Sequence, residues 1–465
     1  MKRADSPWGN TTWRKLTPPQ LFVGSFFVLI ALGAVGLKVI PGLYTGEPLS
    51  WLDALFTSTS AACVTGLIVV DTATYFTPLG QAFILLLIQL GGLGIIAFTS
   101  VIIVALGRRL SLRHEVLAAG MTQIIPNLDF RRLIRSVILF TVAFEFIGAL
   151  LLYLLWIPDL GWTGAAWPAV FHSISAFCNA GFSTFSDSLS GYQRSPLVQL
   201  VIMLLIVLGG IGFLTMEELA VLRKARLQKR RFRLSLHSRI VLVTTGSLIL
   251  GGWVLFTAFE WHVSFAGMPA WAKFVNGLFA SVTARTAGFN TIDYSTASDS
   301  TNFLTILLMF IGGSPGSTAG GIKTTTFALI GLFAFQRYRG YNVTSLWGRS
   351  IPDETMQRAV GLVAVAFGLV TAAIFVFTTT EQGTVAHNEV PEEFLKYMFE
   401  AASAFNTVGL SMGVTDSLTG LGRITTVLLM FIGRVGPLTF AASLARRWRE
   451  PIGGMRYSYE DVVIG

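Results

Sequence analysis

The chain has 465 residues, 53% of them hydrophobic and 13% charged, with a formal net charge of +9. Ordinary soluble domains carry about 25% charged residues, so this composition excludes one and points to a multi-pass membrane protein. The positive charge is split among separate segments and forms no single basic face, which argues against a nucleic-acid surface.

Crossing a bilayer takes ~20 mainly apolar residues. The first such run is 20–40, preceded by a short mixed stretch without a cleavable-signal pattern. A short segment at 51–62 follows, then Val64-Thr65-Gly66, then an apolar run at 79–106 containing Gly91-Gly92-Leu93-Gly94. The next run, 134–156, carries Glu145, read either as a buried hydrogen-bonded residue or as an ion site. It leads to a short segment at 167–177, to Asn179-Ala180-Gly181, and to a run at 196–222 with Gly209-Gly210-Ile211-Gly212. The third set is 239–260, 270–284, Thr286-Ala287-Gly288 and 303–335. The fourth is 358–379, 391–405, Thr407-Val408-Gly409 and 423–445, the last interrupted by Arg434. The glycine clusters at 91–94 and 209–212 are read as close helix packing.

One phrase recurs. Phe56–Gly66, Phe171–Gly181 and Phe399–Gly409 each place a phenylalanine ten residues before a glycine, and Phe279–Gly288 is one residue shorter. A large apolar residue follows each glycine: Leu67, Phe182, Phe289 and Leu410. At 1.5 Å per residue the short segments reach about half-way through a ~30 Å core, so they are expected to be re-entrant helices. The expected fold is therefore an all-α polytopic membrane protein with four M1–P–M2 repeats: eight transmembrane helices and four re-entrant pore helices, arranged pseudo-fourfold around one pore. Expected boundaries are 1–19 for an N-terminal stretch, 20–110, 111–223, 224–340 and 341–446 for the repeats, and 447–465 for a tail. Of the 34 Lys and Arg residues, 26 lie in the N-terminal stretch, 107–135, 223–239, 336–358 and the tail after 445. By the positive-inside rule these face the cytoplasm, in a cell membrane with both termini inside.

Non-helical backbone survives at membrane depth only when sheltered by protein or lining water. Four glycine strands around one axis would be sheltered and could offer rings of main-chain carbonyls to a dehydrating monovalent cation. Val64, Thr65, Gly66, Asn179, Ala180, Gly181, Thr286, Ala287, Gly288, Thr407, Val408 and Gly409 are the expected filter, binding potassium through backbone oxygens alone. The C-terminal dipole ends of the short helices would add negative potential. One glycine per strand predicts weaker potassium–sodium discrimination than a two-glycine filter. Asp71 and Asp293, five residues past their glycines, either gather cations at the mouth or are solvated loop residues. Arg285 precedes the third strand and is expected to pair with Glu400, since a buried arginine needs a partner. Cys63 and Cys178 are read as free thiols, and neither they nor the five scattered histidines have metal-ligand or catalytic spacing; no enzyme activity and no covalently bound cofactor are expected.

The run 303–335 is too long for one span, because 33 residues of helix would measure ~50 Å. Its break at Gly312–Gly321 predicts a small, polar loop in mid-membrane beneath the third strand, acting as a gate. Gly312, Gly313, Gly316, Ser317, Thr318, Gly320, Gly321, Lys323 and Arg434 are its expected members. A mid-membrane arginine costs roughly 2.5–3.5 kcal/mol or more, so Arg434 is expected to hold loop carbonyls and hydroxyls near Ser317 and Thr318. Lys323 either adds to that positive field or reaches the cytoplasmic side.

The motifs "SVTARTAGFNTID" (281–293), "AFNTVGLSMG" (404–413), "QLGGLGIIAF" (89–98) and "GGSPGSTAGGIKT" (312–324) resemble the membrane subunit of Ktr-type potassium uptake systems, in the Trk/Ktr/HKT superfamily. The resemblance covers about 20–446 and includes an arginine set against the loop. It implies potassium uptake, often sodium-stimulated, by a homodimer with one pore per subunit. It also implies a cytosolic RCK-type regulatory ring that binds ATP or ADP on the partner and docks on basic loops such as Lys229-Arg230-Arg231. Competing readings are a Trk-like proton-coupled or less selective sodium/potassium transporter, an alternating-access transporter, which would show inverted repeats, and a membrane enzyme.

Overall fold

A computed structural model describes residues 18–93, 130–341, 343–381 and 393–444. The inner part of the 79–106 run, most of the basic segment 107–135 and the tail 447–465 lie outside the described residues. So does the end of the "QLGGLGIIAF" motif.

The structure is mostly helical. Among the described residues, four helices are long and apolar enough to cross a membrane: Pro19–Val39, Val137–Cys178, Leu236–Glu260 and Asp353–Thr380. Each covers all or nearly all of the first apolar run of one expected repeat. Short helices run Trp51–Ala62, Ala270–Thr283 and Glu393–Asn406. The second short segment is fused to the helix before it: Phe130–Cys178 is helical throughout except at Gly161, where φ is 72°. Only glycine takes that conformation cheaply, so the turn falls where the sequence has no Cβ.

Starts are fixed by side-chain caps and prolines. Ser50 accepts from Asp53 N, Thr77 from Gly80 N, Ser298 from Thr301 N and Thr419 from Gly422 N. Proline opens Pro78–Gly92 and Pro196–Gly210, where its missing N–H costs nothing. Carboxylates, buried Glu260 and partly exposed Glu381, then join helices. Glu260, ending one long helix, accepts from Ser298 N and Oγ (3.0 and 2.7 Å), and Glu381 accepts from Thr419 N and Oγ1 (2.8 and 2.7 Å). The short helices are pinned to the long ones by serines: Ser58, Ser173 and Ser281 Oγ donate to Ile30, Glu145 and Ile249 O at 2.7, 2.7 and 2.8 Å. Arg423, in the last helix group, pairs with Asp53 at the start of the first short helix, tying the end of the chain to its beginning.

The second apolar runs behave differently from the single broken helix expected. Pro196–Gly210 and Phe213–Leu227 are bent by 102°, around Gly212 at φ 93°. Gly420–Val435 gives way to Pro437–Leu444 at Gly436, φ 89°. The run 303–335 is two helices, Asp299–Phe310 and Thr324–Tyr338. Among the described residues three second runs therefore break, and of these the third breaks with the longest insert.

Candidate functional site

Each short helix ends at or just before a residue triplet in which the first and third members have positive φ. The pairs are Val64 and Gly66 (56° and 96°), Asn179 and Gly181 (59° and 70°), Thr286 and Gly288 (68° and 79°), and Thr407 and Gly409 (50° and 94°). A β-branched residue at positive φ is a true outlier. Val64, Thr286 and Thr407 all adopt it, so about 1–3 kcal/mol of strain sits at each.

What holds the strain is the short helix. Thr65, Ala180 and Val408 N donate to the carbonyl five residues back, in Ser60, Ser175 and Ser403, at 2.8, 2.8 and 2.9 Å. In the third unit Ala287 N reaches Thr283 O, four residues back, at 3.0 Å; this is where the missing residue was lost. The same side chains grip the strand further on. Ser60 and Ser403 Oγ accept from Gly66 and Gly409 N, while Ser175 Oγ and Thr283 Oγ1 donate to Phe182 and Phe289 O.

The triplets meet one another. A Cβ added at Gly66 would lie 2.4 Å from Ala180 O, at Gly181 3.0 Å from Ala287 O, at Gly288 2.5 Å from Val408 O, and at Gly409 2.1 Å from Thr65 O. The contacts run first to second to third to fourth and back to first, a closed ring of backbone. Ten of the twelve residues are buried, Gly181 and Gly409 being half-buried. Yet none of their twelve carbonyl oxygens accepts a hydrogen bond from the described residues. More than 90% of buried backbone groups are paired in folded proteins, so a dozen free acceptors on one ring are set aside for something other than the fold.

Directly against this ring lies the segment 312–323. Its ends are closed by Gly312 N to Ile322 O (2.8 Å) and Thr324 N to Gly313 O (3.1 Å). Gly320 has no room for a Cβ, which would fall 2.0 Å from Thr407 Oγ1. The segment docks on the broken helix of the second unit. Ser314 N donates to Gly210 O (2.9 Å), Thr318 N to Gly209 O (3.3 Å), and Phe213 N to Gly316 O (3.1 Å). The Asn179 amide and Thr318 hydroxyl are 3.1 Å apart. Buried Arg434 spans from this segment to the first unit, donating to Thr318 O and, at 2.6 Å, to Gly91 O. Arg434 thus meets the expected loop carbonyl, at Thr318, and also a helix carbonyl of the first unit, at Gly91, that was not expected. Lys323 Nζ folds back on Ala319 O (2.7 Å) and Gly320 O (3.5 Å).

The expected Arg285–Glu400 ion pair is not formed. Arg285 Nη2 donates weakly to Gly312 O (3.4 Å), at the broken end of Asp299–Phe310, where the free helix carbonyls favour a cation. Glu400 instead accepts from Ser411 Oγ (2.9 Å) and Thr415 Oγ1 (2.7 Å). Hydroxyls satisfy Glu400, whereas Arg285 has only the long bond to Gly312 O and its buried Nε has no hydrogen-bond partner among the described residues. Glu145 is buried and accepts from Gln89 Nε2 at 3.0 Å. Asp71 accepts from Ala73 N, Thr74 Oγ1 and Ser186 Oγ, and Asp293 from Ser295 N and Oγ. Cys63 and Cys178 are free and buried. Among the described residues no group of three or more His, Cys, Asp and Glu could hold a metal.

A spacing overlooked in the sequence governs the second helices. Gly91, Gly209 and Gly433 pass the ends of their short helices so closely that a Cβ would fall 1.9, 1.9 and 1.7 Å from Ala62, Phe177 and Phe405 O. Each stands three residues before another glycine: Gly94, Gly212 and Gly436. The reading of the first two clusters as close packing agrees with these contacts. In the third unit the same spacing begins at Gly312 and meets Pro315. Arg434 occupies the place of Gly92 and Gly210, one step after the close contact, which is why its side chain can reach across to its neighbours.

Comparison with known proteins gives the family. The profile of the TrkH family, described as "Cation transport protein", matches residues 17–448. The chain is 40% identical to "Ktr system potassium uptake protein B" of Bacillus subtilis (strain 168), covering 97% of this chain and 98% of that one. It is 34% identical to "Potassium/sodium uptake protein NtpJ" of Enterococcus hirae, covering 97% and 98%. The crystal structure of the potassium transporter TrkH from Vibrio parahaemolyticus superposes with a TM-score of 0.70 over 95% of this chain and 88% of that one, at 18% identity, a likeness of fold.

Proposed function

Because the chain belongs to the TrkH family of cation transport proteins, we propose that it takes up potassium across the cell membrane through a channel-like conduit. Four helix–short helix–helix repeats, with the boundaries given above, surround that conduit, and the twelve residues of the triplets are its filter. The observation that carries this reading is the closed ring of twelve unpaired carbonyls. A potassium ion losing its water needs oxygen ligands with no fixed charge to trap it, and such a ring supplies them. The short helices end at the ring, so their C-terminal dipoles favour cations. Inward-facing termini and basic connections follow the positive-inside pattern.

The segment 312–323 is the gate in this reading. It lies against the inner end of the ring, and Arg434 ties it to the first unit while placing a positive charge in the path. Opening requires release of Thr318 O from Arg434 and of the segment from Gly209 and Gly210. A homodimer with a cytosolic nucleotide-binding ring, loaded with ATP or ADP, would drive that release through the basic loops and the helix Thr324–Tyr338. The relative named as a potassium/sodium uptake protein favours one second reading, uptake with modest discrimination between the two ions; a single glycine per strand agrees with it. The relatives are transport proteins, and no catalytic step is assigned.

The test is flux into liposomes holding the pure chain. Rubidium and potassium should enter faster than sodium, and Gly288→Ser should lower that preference. Absence of any alkali-cation flux from folded protein, with the gate segment intact and with it deleted, overturns the reading.

A further inference from the structure

The residue after the phenylalanine of each repeated phrase differs: Thr57, His172, Ala280 and Glu400. All four are buried. In the second unit His172 Nδ1 is 2.8 Å from Pro168 O, which can only accept, so Nδ1 donates there and the neutral ring offers Nε2 as an acceptor. Ser183 Oγ, 2.9 Å away, donates to Nε2 and accepts from Phe185 N (2.9 Å). In the fourth unit Glu400 takes Ser411 Oγ on one oxygen and Thr415 Oγ1 on the other, and Ser411 Oγ accepts from Gly413 N at 3.0 Å. Ser183 and Ser411 each stand two residues past the glycine of their strand. The corresponding residues in the first and third units are Ile68, which has no polar group, and Asn290, whose amide donates to Ile292 O. At this position, two residues past the glycine, two strands therefore have a further tie to their short helices through a buried His or Glu side chain, beyond the serine and threonine bonds that all four share, and two do not.

The ring order puts the second and fourth units on opposite sides. Their glycines, Gly181 and Gly409, are also the half-buried pair. We infer that His172 and Glu400 are positioning residues that fix the outer end of the filter across one diameter and so set its discrimination between potassium and sodium. Neither is in the carbonyl ring; each acts through the serine that follows its strand. A ring whose opposed strands are held apart at their outer ends cannot close around the smaller ion, whereas the other pair lacks this additional tie.

This inference rests on the filter reading, and the experiment separates the two. Full-length chain carrying Ser183→Ala, Ser411→Ala, or both, is reconstituted beside Gly409→Ser, and the sodium-to-potassium flux ratio and melting temperature are measured. Loss of one buried hydrogen bond, about 1 kcal/mol, should raise the ratio roughly fivefold in each single variant and further in the double, with little change in melting temperature. Glu400→Gln keeps one acceptor oxygen and should shift the ratio less than Glu400→Ala. An unchanged ratio in the folded double variant, with Gly409→Ser still losing discrimination, overturns the roping of the strands alone. An unchanged ratio in Gly409→Ser as well removes the filter reading and this inference with it.

Discussion

The carbonyl ring and the segment beneath it are both rich in glycine, yet glycine does opposite work in the two. In the ring, Gly66, Gly181, Gly288 and Gly409 occur once per unit, each at positive φ and each against the backbone of the next strand. Their neighbours' N–H groups are committed to the short helices, so every strand is held from behind at several points. The segment 312–323 occurs once. It is held mainly by single bonds to Gly209, Gly210 and Phe213 and by the two arms of Arg434. A strained element persists only when its surroundings over-determine it; an element that must move is drawn from the weakly held end of the structure. Damage to the ring should therefore weaken potassium uptake and its selectivity, and damage to the segment should release flux.

The largest effect is expected at the ring. Gly409→Ala puts a Cβ 2.1 Å from Thr65 O at φ 94°. Backbone has to give way at both strands, at a cost of about 1–3 kcal/mol for the conformation alone, so potassium uptake should fall at least about tenfold. Growth of a potassium-transport-deficient host on low potassium, with protein amount checked in membranes, measures it. Uptake near the parent level would mean the ring is a packing device. Next is removal of residues 316–320. Potassium flux should rise severalfold and lose its dependence on the cytosolic partner; a well-folded deletion with parental flux removes the gate.

Arg434→Ala sharpens the same contrast. It deletes two charge-assisted hydrogen bonds, about 1.5–3 kcal/mol each before compensation, and leaves Thr318 and Gly91 carbonyls without that donor. Flux without the cytosolic partner should rise roughly tenfold, and Arg434→Lys, which cannot reach two carbonyls as a planar fork does, should fall between. A fall in flux for both variants, in folded protein, would show that Arg434 supports the conduit and does not close it.

Much of this contrast was legible in the sequence, for physical reasons that mark its limits. The triplets could be read because positive φ and close backbone contact both demand glycine, so one requirement repeated four times leaves a fixed spacing. The short helices could be read because their length cannot span a bilayer. Side-chain partners could not. The need for a partner at Arg285 and Glu400 followed from burial, but its identity depended on whether the end of Asp299–Phe310 and the Ser411 and Thr415 hydroxyls lay nearer, which no spacing encodes. The sharp bend at Gly212 was missed because Gly209-Gly210-Ile211-Gly212 looks the same whether glycine serves close approach or a turn. It serves both, Gly209 the first and Gly212 the second.

The smallest effect should come from Lys323, whose ammonium closes only on carbonyls of its own segment, Ala319 and Gly320. Those bonds make the segment compact and tie it to no other unit. Lys323→Gln keeps a donor of similar reach and removes the charge. Docking through Gly209, Gly210 and Arg434 should survive, so flux without the partner should rise about twofold, far less than for Arg434→Ala, in keeping with a single exchanged bond worth about 0.5–1.5 kcal/mol. A change as large as that of Arg434→Ala would mean that the positive charge itself, and not the tether to the first unit, is what bars the path.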